Sequence, residues 1–185
     1  MNKRRIAVII GSDSDLPQCW EGLMYLAQMQ EEGKVEVVRV MTMSVHRNTE
    51  ALLSWLLDNH KSLDAIVVGA GWANALTGMC DAYSRYAIKD EHLVVVGVAF
   101  IDPVNTNHTQ AAILGITELP PGAQVVYNGY LGSRGFVEAC QFAVEDTLPP
   151  ILLKDAKPVQ DRTLDDAIAR AEIEIQKAKQ KSTTK

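Results

Sequence analysis

Basic residues are in deficit in this chain: 18 Lys and Arg stand against 23 Asp and Glu, a formal net charge of −5. A protein that tracks the phosphates of a nucleic acid needs the opposite balance, so no nucleic-acid partner is expected and any anion site has to be local. Cysteine is scarce as well. Cys19, Cys80 and Cys140 are odd in number, widely spaced and set in apolar or helical-looking stretches, which argues against a disulfide framework or a zinc knuckle and predicts reduced, buried thiols. Nowhere do His, Cys and carboxylates fall at metal-ligand spacing, so no metal cofactor is expected. No apolar run reaches membrane length and no N-terminal signal pattern is present; the expectation is a cytoplasmic protein without a membrane partner. The G-x-G-x-x-G and Walker patterns are missing too, which leaves a dinucleotide or triphosphate fold without support.

What is present is a chain of 185 residues, 47% hydrophobic, enough for one well-cored domain with an appendage. Short β-branched runs alternate with helical patterns, the signature of βαβ units and a parallel sheet: an α/β, three-layer architecture. The runs Ile6–Ile10, Ala65–Val68 and Val94–Val98 are apolar at consecutive positions, and Val35-Glu36-Val37-Val38-Arg39-Val40 is largely so, as strands covered on both faces should be. A weaker fifth strand is expected at Gln124–Tyr127. Trp20, Leu23, Met24 and Ala27 recur at helical spacing after the first strand, and Leu52, Trp55 and Leu56 after the second. Asn48 or Thr49 could cap that second helix. A later helix is expected over Ser133–Leu148, stopped by Pro149 and Pro150. Beyond a linker at Pro149–Lys157, Leu164, Ala167, Ile168, Ala171 and Ile175 form an apolar stripe on a last helix, and the polar Lys177–Lys185 tail is expected to fray. The expected organisation is a domain over 1–150 and a linker with C-terminal helix over 151–185. The stripe has two readings, packing on its own subunit or on a neighbour; the Pro-rich linker favours the neighbour and hence a homo-oligomer.

Two polar clusters sit where strands end. Gly11-Ser12-Asp13-Ser14-Asp15 follows the first strand, and Ser44-Val45-His46-Arg47 follows the second. In an open parallel sheet the carboxyl ends of the strands form the ligand edge, so both clusters should face one crevice. Taken alone, Gly11–Asp15 is an ordinary strand-to-helix turn with Ser14 or Asp15 as N-cap. Backbone N–H groups at a helix N-terminus nevertheless attract anions, and Ser12 adds a hydroxyl. Asp13 and Asp15 cannot both face a phosphate, so at least one is better matched to sugar hydroxyls. His46 is the type of side chain that titrates near neutral pH, and beside it Arg47 carries a guanidinium matched to phosphate geometry. A third loop, Gly69 to Met79, places small residues directly after a strand, where a ligand can approach the backbone. Gly71 and Asn74 there, with Ser44, complete the candidate binding set. His60 and His92 are expected at the surface. His108 follows a strand and could reach the same edge, with no readable partner. The pattern points to acid–base chemistry on a phosphorylated small molecule.

Four motifs in this order resemble one family: the GSDSD loop, Ser44-Val45-His46-Arg47 where the family has SAHR or SAHK, the GAG-to-GM loop, and Leu119-Pro120-Pro121-Gly122 where it has an MPxG turn. The chain is similar to the phosphoribosylaminoimidazole carboxylase catalytic subunits and N-carboxyaminoimidazole ribonucleotide mutases of purine biosynthesis over roughly the first four-fifths of its length. The resemblance implies a flavodoxin-like domain, usually an octamer whose C-terminal helix embraces neighbours. It also implies a small-molecule ribonucleotide and carbon dioxide as reactants, and chemistry without biotin, metal or ATP. Carried over, Ser12 and Asp15 bind phosphate and ribose, Arg47 binds phosphate, and His46 shuttles a proton at the ring carbon.

The match has departures. Ala75 stands where the mutase branch has a His in GGAAHLPG, and Trp72-Ala73-Asn74-Ala75-Leu76-Thr77-Gly78 is closer to the carboxylase-branch GRSNALSG. Arg47, in contrast, is mutase-like. The family's SxxxGxDSLxS segment is replaced by Asn105–Gly115, with Ala111-Ala112 for the Asp-Ser pair and Gly115 for a serine. Two classes therefore stand open: a carboxylase or mutase acting on an aminoimidazole ribonucleotide or a similar phosphorylated heterocycle, and a non-catalytic paralogue that binds one.

Overall fold

A computed structural model describes residues 3–183. It falls into two compact units, residues 1–154 and 155–185. In the first, four parallel strands, β1 (Arg4–Ile10), β2 (Val35–Thr42), β3 (Ala65–Ala70) and β4 (Val94–Ala99), pair in the order β2-β1-β3-β4. Helices α1 (Leu16–Glu31), α2 (Thr49–Asn59), α3 (Ala75–Ala82), α4 (Thr106–Thr117) and α5 (Gly132–Glu145) connect and cover them.

The three layers follow from the period-two alternation of a strand. Ile6, Val8 and Ile10 of β1 enter one core with Leu26 and Met29 of α1 and Phe136, Ala139 and Ala143 of α5. Ala7 and Ile9 point the other way, into a second core with Leu52 and Leu56 of α2 and Leu76 of α3. Both faces being covered, β3 and β4 are buried at every residue, as their unbroken apolar runs predict. Gly22 lets α1 and α5 approach, since a Cβ there would collide with the Phe136 ring. Cys19, Cys80 and Cys140 are free and buried, and burial pushes the Cys19 and Cys80 thiols up to about 12.

Several expectations are corrected. β2 is an edge strand, and only Val35 is fully buried there; Val40 is 43% exposed. On α1 the core face is Cys19, Gly22, Leu26 and Met29, while Trp20, Met24 and Ala27 point outward. No fifth strand forms at Gln124–Tyr127. Val126 and Leu131 make isolated parallel bridges to Val96 and Ala99, and Gly129, at φ +79°, turns the chain between them. α5 ends at Glu145, ahead of Pro149. Asn48 occupies the N-cap position of α2, but its side chain instead accepts from the Ser44 N–H at 3.1 Å.

His60 is not a surface residue. It is 8% exposed and its Nδ1 pairs closely with the Asp90 carboxylate. Asp90 Oδ1 also accepts from the N–H groups of His92 and Leu93, both at 2.6 Å, and these contacts fix the turn leading into β4. Beside it lies Arg85, 1% exposed, in a single π-helical turn that extends α3.

The second unit carries α6 (Leu164–Thr183), on which Leu164, Ile168 and Ile175 of the stripe are 75%, 50% and 53% exposed. Among the described residues no helix is long and apolar enough to cross a membrane. Thr184 and Lys185, at the end of the tail expected to fray, lie outside the described residues.

Candidate functional site

The carboxyl ends of β1, β2 and β3 open onto a cavity of about 430 Å³, and seven predicted residues meet around it: Ser12, Asp15, Ser44, His46, Arg47, Gly71 and Asn74. The parallel topology brings them together, because every βα loop leaves the sheet at the same edge. Asp13 is exposed and does not line the cavity.

Each loop is fixed by its own backbone. After β1, the Gly11 N–H donates to the Gly69 carbonyl at 2.9 Å, tying the first loop to the third. Ser12, and neither Ser14 nor Asp15, then caps the turn that follows: its Oγ accepts from the Ser14 hydroxyl at 2.9 Å and more weakly from the Ser14 N–H at 3.4 Å. Asp15 sits at the N-cap position of α1 without a side-chain capping bond. Its carboxyl is held above the ordinary range because burial outweighs the hydrogen bonds from the Gly71 and Ser12 backbone. After β2, the Arg47 and Asn48 N–H groups both donate to the Ser44 carbonyl, at 3.1 and 2.8 Å. Val45 is buried and anchors this turn, while His46 and Arg47 project into solvent. No other described residue hydrogen-bonds or pairs with their side chains, so an imidazole and a guanidinium stand free at the cavity wall.

The third loop is the most constrained. Asn74 adopts a left-handed conformation at φ +38° and is 3% exposed. Its Nδ2 donates to the Val98 carbonyl at 2.9 Å, and its Oδ1 accepts from the Thr77 hydroxyl at 2.8 Å. Asn74 thus lines the cavity with its amide already committed to protein groups, and it starts α3 in place. Gly115, where the family pattern has a serine, supports the same loop from α4: a Cβ there would run into the Ala73 carbonyl oxygen.

A family model described as AIR carboxylase matches residues 5–144, well over half of the chain. The chain belongs to the AIR carboxylase family. A relative from Mycobacterium tuberculosis named N5-carboxyaminoimidazole ribonucleotide mutase is 31% identical over 182 residues, covering 97% of this chain and 94% of that one. The Pseudomonas aeruginosa protein of the same name is 31% identical over 137 residues, 72% of this chain and 74% of its own. A phosphoribosylaminoimidazole carboxylase from Ogataea methanolica is 32% identical over 138 residues, 65% of this chain and 24% of that longer one. The crystal structure of Treponema denticola PurE shares the fold, with a TM-score of 0.50 at 18% identity, over 77% of this chain and 88% of that one.

Around this AIR carboxylase family cavity the structure adds groups that the sequence pattern left without a role. Trp72 lines the cavity and is 68% exposed. Its indole stacks on the His108 imidazole, with ring centroids 4.2 Å apart and planes 20° off parallel. His108 Nδ1 bonds Asp102 Oδ2 at 2.8 Å, and Asn105 Nδ2 lies 3.0 Å from His108 Nε2. The hydrogen bond from His108 holds the Asp102 carboxyl below its usual range, helped by the Val104 and Asn105 N–H groups. Among the described residues no group of three or more His, Cys, Asp and Glu could hold a metal ion.

Proposed function

We propose that this protein forms carboxyaminoimidazole ribonucleotide in purine biosynthesis, either by moving the carboxylate of N5-carboxyaminoimidazole ribonucleotide to the ring carbon or by carboxylating aminoimidazole ribonucleotide directly. The observation that supports this most is the family membership together with the meeting of His46, Arg47, Ser12 and Asp15 around one cavity. In the mutase direction the bond between the exocyclic nitrogen and the carboxylate breaks, releasing carbon dioxide while the nitrogen takes up a proton. The nucleophilic ring carbon then attacks the trapped carbon dioxide, a carbon–carbon bond forms, and the ring proton leaves. His46 moves that proton, the task of a general acid and base. Arg47 and Ser12 hold the phosphate. Asp15 accepts from the ribose hydroxyls, which would replace the water its carboxylate loses on burial. Ser44 and Gly71 complete the wall, and Asn74 shapes it.

The relatives are named as enzymes, so a non-catalytic paralogue is not the favoured reading. The direct test supplies the purified protein with the carbamate isomer, then with aminoimidazole ribonucleotide and bicarbonate, and follows the carboxylated ring product. Turnover of neither would sink the proposal. Within it, Arg47→Ala weakens ribonucleotide binding by about 10- to 100-fold, the size of a lost charge-assisted hydrogen bond, and leaves binding of the free heterocycle unchanged. Calorimetry with both ligands measures this, and equal losses would make Arg47 structural.

The working form is a cytoplasmic homo-oligomer, an octamer by resemblance, in which α6 buries its exposed stripe on a neighbouring subunit. Truncation after Leu153 then lowers the assembly's mass or its melting temperature, read by light scattering beside circular dichroism. An unchanged assembly would take α6 out of the interface.

A further inference from the structure

Trp72 is the one aromatic carbocycle-bearing side chain among the residues lining the cavity, and it is held there against its own backbone preference. Its φ of +54° lies in the left-handed region, which is an outlier for a bulky residue and persists only where the surroundings over-determine it. The two residues that follow it supply that constraint. Asn74 is pinned to Val98 and Thr77, and the Ala73 carbonyl lies against Gly115. The ring is fixed as firmly as the main chain: it stacks on His108, which Asp102 and Asn105 hold in turn. Trp72 also borders a second cavity of about 500 Å³, reached past Ser14, Asp15 and Gly71, which line both. An indole that stacks with one face, is still 68% exposed and stands between two cavities offers a preformed flat surface to whatever enters.

We infer that Trp72 is a specificity-determining residue, a platform on which the planar heterocycle of the ribonucleotide lies, and that His108 is the positioning residue that holds the platform in place. The inference rests on the substrate class proposed above. The division of labour follows from chemistry: a guanidinium suits the phosphate, a carboxylate suits the ribose hydroxyls, and an uncharged π-face suits the remaining part, a flat ring. Stacking of a base on an aromatic side chain tolerates differences in the base, so the platform recognises planarity and size more than a hydrogen-bond pattern. It supplies affinity without touching the proton that His46 moves.

The experiment is calorimetry on the intact protein with aminoimidazole ribonucleotide and, separately, ribose 5-phosphate, for the wild type, Trp72→Ala, Trp72→Phe and His108→Ala. The expected result is a loss of about tenfold or more in ribonucleotide affinity for Trp72→Ala, the effect of removing one stacking ring, with ribose 5-phosphate binding unchanged. Trp72→Phe keeps most of the affinity. His108→Ala falls between them and raises KM more than it lowers kcat. Unchanged ribonucleotide affinity in Trp72→Ala overturns the platform, and so does an equal loss for both ligands, which would mean collapse of the loop. A Phe variant no better than the Ala variant overturns it as well, since planarity would not be the property used. If the wild type binds ribose 5-phosphate but not the ribonucleotide, the substrate reading fails and takes the platform with it.

Discussion

Replacing His46 by Asn lowers kcat by about 100- to 10,000-fold, the range that one positioned general acid and base contributes, while ribonucleotide affinity stays close to that of the wild type. The split follows from what each group can do. Phosphate and ribose are gripped by Arg47, Ser12 and Asp15, none of which the substitution touches. Asparagine preserves polarity and approximate size but cannot exchange a proton, so the loss falls on the chemical step alone. The imidazole is well placed for that step because no other described residue engages it, whereas His60 is tied to Asp90 and His108 to Asp102. The check is steady-state formation of the carboxylated ring product beside calorimetry of the same variant. Turnover within a few fold of wild type removes His46 from the mechanism, and lost binding with unchanged kcat moves it to the binding wall.

The sheet was legible because burial on both faces writes itself as an unbroken apolar run, and β1, β3 and β4 follow that rule. β2 differs, because Glu36 and Arg39 interrupt its apolar run and only Val35 of the strand is fully buried. Those two charges are a local mark of an edge strand, whereas the place of β2 at one end of the sheet is set by the pairing order β2-β1-β3-β4. On α1 the hydropathy pattern pointed to Trp20, Met24 and Ala27, yet the core chose the face with Cys19 and Gly22, since close approach to Phe136 requires a residue without a Cβ. Small residues weigh little in a periodicity count, although they decide where two helices can touch. The expected fifth strand at Gln124–Tyr127 reaches the sheet only through the Val126 bridge, and the positive φ of Gly129 turns the chain before Leu131 makes a second one.

The candidate site was legible for a different reason. Parallel topology sends every βα loop to one edge, so residues far apart in the chain can be placed together from strand ends alone. Partnerships made across that edge or within the core carry no such local mark. Trp72 appeared in a loop without a role, and His108 without a partner, because their contact joins the loop after β3 to the start of α4. His60 reads as a surface residue, and Arg85 carries no local sign of burial, because charged and titratable groups usually lie outside. Only the fold shows that they are buried against each other's neighbours, where they fasten the end of α3 and the approach to β4.

That buried cluster sets the second large effect. Arg85→Met lowers the unfolding free energy by about 3–5 kcal/mol, the cost of breaking a buried ion pair by removing one partner. Arg85 Nε donates to Asp81 Oδ1 at 3.2 Å, one terminal nitrogen donates to the Asp90 carbonyl at 2.7 Å, and the other to the Leu93 carbonyl. Asp81 Oδ2 accepts from the Gln124 N–H at 3.0 Å, so the pair also holds the segment that bridges to β4. Methionine fills much of the volume and satisfies none of these acceptors, leaving a carboxylate 1% exposed without its cation. Against a total stability of about 5–15 kcal/mol the loss is large enough to move the urea midpoint well below that of the wild type. The neighbouring Asp90 adds a pH signature. Burial raises its carboxyl, but hydrogen bonds from Leu93, His60 and His92 prevail and hold it below the usual carboxylate range. A depressed carboxyl contributes stability above its unfolded value and loses it as the pH falls through the folded one. Asp90→Asn therefore costs most near neutral pH, and the gap to wild type narrows with acid. Urea titrations of both variants from neutral to acidic pH measure the two effects. A midpoint for Arg85→Met equal to that of the wild type would show that the cluster does not hold α3 to β4.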